Sequence, residues 1–351
     1  MDFPKVTTYD EGHRGRWDAF VQSNPQASYG HLSATFALAA VTPFTVNRSL
    51  MIDDANGRLI GVLPLFDVRE RELRVVPVRS LVSGHHFPAG PLFLPHLTGK
   101  RRRVLTAELL RHVDALAREL AVDRVAMAYP NIMEGHPSIA SLGYLPLRHH
   151  GFHETNVVSM LLDLRPPLET LHKQMRERGH RALRKAAEAG VTVQPIDTRL
   201  AWLACHRLNL DSLGPLAWSP AQLAVIWDEF IEPRLATAHA AHFAGEIVSV
   251  VVAVHHQGTS YYWLGFNRKP SVRGANHCAL WEAIQSCKTR GDRVFELGSK
   301  DFGHGKQVDI SYFKESFGGI AVYSLGGVLE RKPSKRALLD IVHRAFAAIR
   351  V

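Results

Sequence analysis

The sequence predicts an α+β protein with mixed sheets, built as two similar units. Three observations predict it. Short apolar strands recur in pairs around hairpin turns, each half closes on a helix followed by a strand, and a stretch rich in Gly, Pro and His divides the halves. The divide falls within residues 140–156, where Gly143, Pro146, His149, His150 and Gly151 cluster, and gives an N-terminal unit 1–150 and a C-terminal unit 151–351.

The first unit opens with helical spacing at Trp17 to Val21 and again from Ser33 to Ala40. Arg48 to Asp53 and Leu59 to Phe66 read as strands joined by a two-residue turn at Asn56-Gly57, and Arg71 to Val76 continues the sheet. Gly84 to Pro91 is too densely punctuated by Gly and Pro for regular structure and is predicted as a loop. Apolar residues then repeat at helical spacing over Thr106 to Leu120, before a strand at Arg124 to Tyr129.

In the second unit, Val157 to Leu164 is a strand stopped by Pro166-Pro167. A single long basic helix is predicted from Leu168 to Ala189, ended by Gly190, with Val191 to Val193 a strand after it. Helices follow at Leu200 to Leu210 and Pro220 to Leu235. Strands Ala240 to Phe243, Ile247 to His255 and Ser260 to Phe266 turn at Ala244-Gly245-Glu246 and Gln257-Gly258, and a helix from Asn276 to Thr289 leads into Arg293 to Leu297.

Composition narrows the function classes. Hydrophobic residues at 46% and charged residues at 21% exclude disordered and collagen-like chains, and three cysteines are too few for a disulfide framework. No signal-like N-terminus and no stretch of about 18 uninterrupted apolar residues is present, so a cytoplasmic protein is expected. A net charge of +9 suits a polyanionic partner. Nucleophile-elbow, P-loop and dinucleotide fingerprints are missing, which argues against hydrolase, kinase and dehydrogenase readings. The 20 histidines follow no metal-ligand spacing, and no metal is expected at the site.

Three constellations remain. The helix carrying Arg178, Arg181, Arg184 and Lys185 offers guanidiniums whose planar forks pair phosphate oxygens, although a solvated helix face gives the same pattern. Arg273-Gly274-Ala275-Asn276 precedes a helix, where free backbone amides receive an anion; a plain capping turn is the alternative. Finally, Phe295 to Asp301 empties into a Gly-rich loop that leads to Tyr312-Phe313-Lys314, placing an ammonium among aromatic walls where electrostatics strengthen.

Together these residues resemble the FemABX-like aminoacyl transferases and their GNAT-fold acyltransferase relatives, including BioF2-like acetyltransferase domains. The resemblance rests on Arg176 to Ala186 with Gly190 to Val193, on Tyr261-Tyr262-Trp263-Leu264-Gly265, on Asn276 to Ile284, and on Phe295 to Gly298 with Phe313 to Gly318. It implies two tandem GNAT-like domains facing one another, with an amine acceptor between them and an aminoacyl-tRNA as donor. It also implies a role in transfer for Lys314 beside Phe313. The proton of the amine is left to Asp301 or Glu296, or to a phosphate or water. Arg178, Arg181, Arg184, Lys185, Tyr262 and Trp263 are then substrate-binding. Arg79, His85 and His86 are the acceptor-facing residues that loop composition proposes. His180 stands where the family usually has a basic residue, and the helical arm of cell-wall members is missing; both point to a different, small acceptor, as in natural-product assembly.

The expected function is therefore aminoacyl-tRNA-dependent amide formation on a small-molecule or peptide amine, in natural-product or cell-wall precursor biosynthesis, with no bound cofactor. The enzymatic alternative is an acyl-CoA-dependent N-acyltransferase that grips pyrophosphate with Arg273, Gly274 and Asn276. A non-catalytic nucleic-acid-binding protein is the alternative of a different class.

Overall fold

A computed structural model describes residues 4–72, 75–130, 146–300 and 306–349 of the chain. The chain divides into two compact units, residues 1–156 with 324–351, and residues 157–323. The C-terminal segment thus returns to the first unit. It does so because the strand Ile320–Glu330 pairs through Gly326 to Glu330 with the strand Arg124–Ala128.

In the first unit, strands β1 (Lys5–Thr8), β3 (Leu50–Asp53), β4 (Leu59–Leu63) and β7 (Leu92–Phe93) form an antiparallel sheet in the order β1-β3-β4-β7. A second array runs β2 (Thr45–Asn47), β5 (Phe66–Glu72), β6 (Val76–Val82), β8 (Arg124–Ala128), β15 (Ile320–Glu330), with only the β6–β8 pair parallel. Helices α1 (Arg14–Ser23), α2 (Ala34–Ala40) and α3 (Gly99–Glu119) flank them, and α11 (Pro333–Ile349) ends the chain. Leu105, Leu109 and Val113, spaced for one helix face, bury α3 against Leu81, Val125 and Met127.

The second unit is a six-stranded array in the order β10 (Thr192–Pro195), β11 (Ala236–Phe243), β12 (Glu246–His256), β13 (Thr259–Asn267), β14 (Val294–Lys300), β9 (His153–Asp163). Every pair is antiparallel except β13–β14. Helices α4 (Leu168–Gln174), α5 (Glu177–Glu188), α6 (Arg199–Ala204), α7 (His206–Leu213) and α8 (Pro220–Ile226) precede the hairpins, and α9 (Ala275–Arg290) and α10 (Lys306–Glu315) follow them. The apolar side of α9 (Ala279, Leu280, Ala283, Ile284) packs on Val251, Ala253, Phe295 and Leu297.

The structure corrects one expectation here. The predicted helix Leu168 to Ala189 is two helices, broken at Met175 and Arg176, whose ψ values are 148° and 153°. The cause is tertiary: the Arg176 amide donates to the Ser316 carbonyl at 3.0 Å, and a Cβ on Gly179 would lie 2.5 Å from the same oxygen. The chain after α10 occupies the place a continuous helix would need. Where predicted, α5 does end at Gly190: this residue has φ 79°, and the Val191 amide returns to Ala186 O at 3.0 Å. No helix among the described residues is long and apolar enough to cross a membrane.

Candidate active site

The site grows from a parting of two strands in the second unit. β13 and β14 pair in parallel only from Thr259–Val294 to Tyr261–Glu296, and beyond that point the ladder stops. At the same place the register of β14 against β9 slips between Glu296 and Gly298, where Gly298 adopts φ +83°. A bulge of this kind re-aims the strand, and it opens space that the side chain of Lys314 fills from the last turn of α10.

Lys314 is 9% exposed, and its Nζ donates to the Ser299 carbonyl at 2.8 Å. Burial pushes its pKa down to about 8, against the opposing pull of the Glu296 carboxylate. Glu296 is itself buried and accepts from Ser159 Oγ at 2.5 Å. The phenol of Tyr261 is close to the same point, since a Cβ on Gly298 would lie 3.4 Å from its oxygen. Burial, helped by Glu296, raises the Tyr261 pKa, so the phenol stays protonated and able to donate. The neighbouring Glu315 is ion-paired with Lys300 and lies 3.9 Å from Arg176, which anchors the end of α10.

A cleft of about 560 Å³ lies at the N-terminus of α9; Phe313, the residue before Lys314, lines it, and Lys314 itself does not. Arg178, Tyr262, Arg273, Gly274, Asn276 and Phe313 all line it, so six residues singled out from separate parts of the sequence meet here. Gly274 (φ +82°) precedes α9 with no side-chain cap; the Ala275 amide donates to Val272 O at 3.2 Å, and the next two amides, of Asn276 and His277, are the ones that can receive an anion. Its lack of a Cβ is required, because that atom would sit 2.1 Å from Ala182 O of α5. Phe313 meets Phe317 edge-on at 5.4 Å and His277 at 4.7 Å between ring centroids, forming the apolar wall. His277 is buried, its Nε2 lacks a hydrogen-bond partner among the described residues, and desolvation followed by Arg178 lowers its pKa to about 4.

Other residues expected at the site do not line this cleft. Trp263 faces away from Tyr262 and packs with Trp218 and Phe230, as alternation along a strand requires. Arg181, Arg184 and Lys185 are exposed on α5 and do not line the cleft, and Arg184 lies 3.8 Å from Glu177. In the first unit, Arg79 donates to both oxygens of Asp67 at 2.8 and 2.6 Å and to Leu120 O at 2.6 Å, so its guanidinium is committed within that unit. His85 lies 3.4 Å from Thr45 Oγ1, and burial lowers the pKa of His86 to about 3. Asp301 lies outside the described residues. Sequence reasoning missed Tyr261, His277 and Gly298 as site residues. The one signal that pointed toward Gly298 was a glycine late in a strand, the mark of a bulge.

The family described as an acetyltransferase (GNAT) domain matches residues 173–307, a segment that holds the cleft lining except Asp309, Ile310 and Phe313. Curated protein sequences give no match. Among solved structures, FemX superposes with a TM-score of 0.67 at 14% identity, covering 95% of this chain and 99% of its own. A tandem GNAT protein from the clavulanic acid biosynthesis pathway gives 0.55 at 13% identity, covering 93% and 98%. The C-terminal domain of a lysylphosphatidylglycerol synthetase (a putative one) from Agrobacterium fabrum gives 0.56 at 13% identity, covering 94% and 96%. On this likeness the chain has the fold of the GNAT acyltransferases, in the tandem, FemX-like form.

Proposed function

We propose that the protein transfers an aminoacyl group from aminoacyl-tRNA to the amine of a small acceptor, forming an amide. The observation that carries the reading is the buried Lys314 ammonium, held on Ser299 O where β13 and β14 part; Phe313, the residue before it on α10, lines a cleft that also carries Arg178, Arg268, Lys269 and Arg273. An aminoacyl ester is already activated, so transfer needs a neutral amine, a place for the oxyanion and a proton acceptor. Lys314 supplies positive charge to the tetrahedral oxyanion in a desolvated setting, where such a charge acts most strongly. In this reading Tyr261 adds a hydrogen bond, Glu296 takes the proton that the attacking amine loses, and collapse expels the ribose hydroxyl of the donor.

The choice of donor rests on how far the basic surface extends. Arg178 lines the cleft, and Arg181 and Lys185 follow it at helical spacing on α5, exposed and without an ion pair among the described residues. That row is longer than a small cofactor needs and suits a polynucleotide backbone. Acyl-CoA is the second reading: the uncapped amides of α9 fit a pyrophosphate, and the tandem GNAT protein of the clavulanic acid pathway is described in its AcCoA-free form.

The two readings separate by salt. If three phosphates of a single-stranded donor end are neutralised, the log of tRNA affinity falls with log salt at a slope of about −2. Changing Arg178, Arg181 and Lys185 together to Gln should flatten that slope. A slope near zero for the unaltered protein would remove tRNA as the donor.

A further inference from the structure

At the opposite end of α9 from the cleft, three side chains with different donor atoms converge in the core. We propose that His255, Cys287 and Asp292 form a structural zinc site that ties the β12–β13 hairpin to the end of α9. This inference does not depend on the donor or on the transfer reaction.

The spacing is the first support. His255 Nδ1 lies 3.2 Å from Asp292 Oδ2 and 3.8 Å from Cys287 Sγ, and all three donor atoms fall within 4.8 Å of one another. Tetrahedral zinc with bonds of about 2.0 Å to nitrogen and oxygen and about 2.3 Å to sulfur requires separations of about 3.3 Å for N–O and about 3.5 Å for S–N. The observed distances match within a few tenths of an ångström. Ser260 Oγ, 3.1 Å from His255 Nδ1, donates to Asp292 and is an outer contact, so the protein supplies three donors and a water fills the fourth position. Sulfur, imidazole nitrogen and carboxylate together select zinc over the oxygen-seeking Ca²⁺ and Mg²⁺.

Charge is the second support. His255, Cys287 and Asp292 are 1%, 0% and 6% exposed. A carboxylate buried beside a neutral imidazole is costly. Arg290 is close by, but its guanidinium donates to Arg234 O at 2.9 Å. Zn²⁺ with one thiolate, one carboxylate and a neutral imidazole sums to zero, which is what a buried site needs. On binding, the Cys287 S–H bond breaks, its proton leaves to solvent, and the thiolate pair forms the Zn–S bond.

The scaffold is the third. Gly291 (φ +97°) lets the chain fold back after α9 so that the Asp292 amide donates to Cys287 O at 3.0 Å, which sets the two ligands side by side. His255 and Ser260 are cross-strand partners in the hairpin. The far nitrogen of His255 lies 3.0 Å from Thr237 Oγ1, an outer contact that turns Nδ1 inward. Buried in the core at the opposite end of α9 from the cleft, the ion is structural.

The test uses the full chain without an affinity tag, stripped by chelator and titrated with CoCl₂. A 1:1 uptake with thiolate-to-cobalt charge-transfer absorption in the near ultraviolet is expected, displaced by ZnCl₂. The band should disappear in Cys287→Ser and persist in the Cys205→Ser/Cys278→Ser double variant, which retains Cys287 as its only thiol. A folded, stripped protein that shows no thiolate band overturns the proposal, as does a band lost in the double variant. The double variant decides the matter if Cys287→Ser fails to fold.

Discussion

Gly298 and Lys314 fit together as bulge and ammonium: a Cβ on Gly298 would lie 3.0 Å from Lys314 Nζ, and the glycine holds φ +83°. The strand therefore makes the space that the lysine occupies. Gly298→Ala meets two penalties, a left-handed backbone and a crowded ammonium, with strain of order 1–3 kcal/mol. Turnover should fall at least about tenfold while donor affinity stays within about twofold, since such strain acts on the reacting centre. Equal losses in affinity and turnover would show that Gly298 shapes the cleft instead.

Removing the ammonium should separate activity from stability. Lys314→Met should lower saturated turnover at least about a hundredfold, the scale of losing an oxyanion donor. The same change should raise the midpoint of thermal unfolding. At neutral pH the lysine is charged in both folded and unfolded chains, and only the folded state bears the desolvation cost, up to roughly 3 kcal/mol from its depressed pKa. In the unaltered protein, stability should rise between pH 8 and the ordinary lysine pKa of 10.5, because the folded chain sheds its proton first. A variant that loses stability as a core deletion does would show that packing, not charge, governs this position.

The pH profile tests which form of Lys314 acts. With the ammonium as oxyanion partner, the transfer rate should decline as pH rises through about 8, where burial has placed its pKa. Lys314→Arg, which stays charged, should move that descending limb to higher pH even at reduced rate. A rate that instead climbs through pH 8, with the climb lost in Lys314→Met, would make the neutral amine a base.

Gly274 joins the fold to the cleft. Its Cβ would sit 2.1 Å from Ala182 O, so Gly274→Ala must push α9 from α5 or unwind its first turn. A loss of at least about 2 kcal/mol in urea unfolding is expected from strain of this kind. An unchanged midpoint would mean that the two helices are not held at this contact.

Local chemistry explains what could be read from the sequence. The hairpins at Gly57, Gly245 and Gly258 were legible because positive-φ glycines mark them, and α9 because Gly274 and Gly291 bracket its apolar spacing. The cleft was legible in part: Arg178, Tyr262, Arg273 and Phe313 carried chemistry in their own segments. Long-range contacts were not. Nothing near Met175 announces that Ser316 O breaks the helix there, and nothing near residue 320 says that β15 will pair with β8. His277 looked like any first-turn histidine, and only the fold sets it between Phe313 and Phe317.

The most direct measurement is a donor comparison. The purified protein is incubated with a pool of tRNA charged with labelled amino acids, with and without ribonuclease, and in parallel with labelled acetyl-CoA, each with a cell extract supplying acceptors. The account predicts ribonuclease-sensitive consumption of one amino acid into an amide product, with Lys314→Met inactive. Label passing only from acetyl-CoA, unaffected by ribonuclease, would contradict it and place Arg273 and Gly274 in a pyrophosphate site.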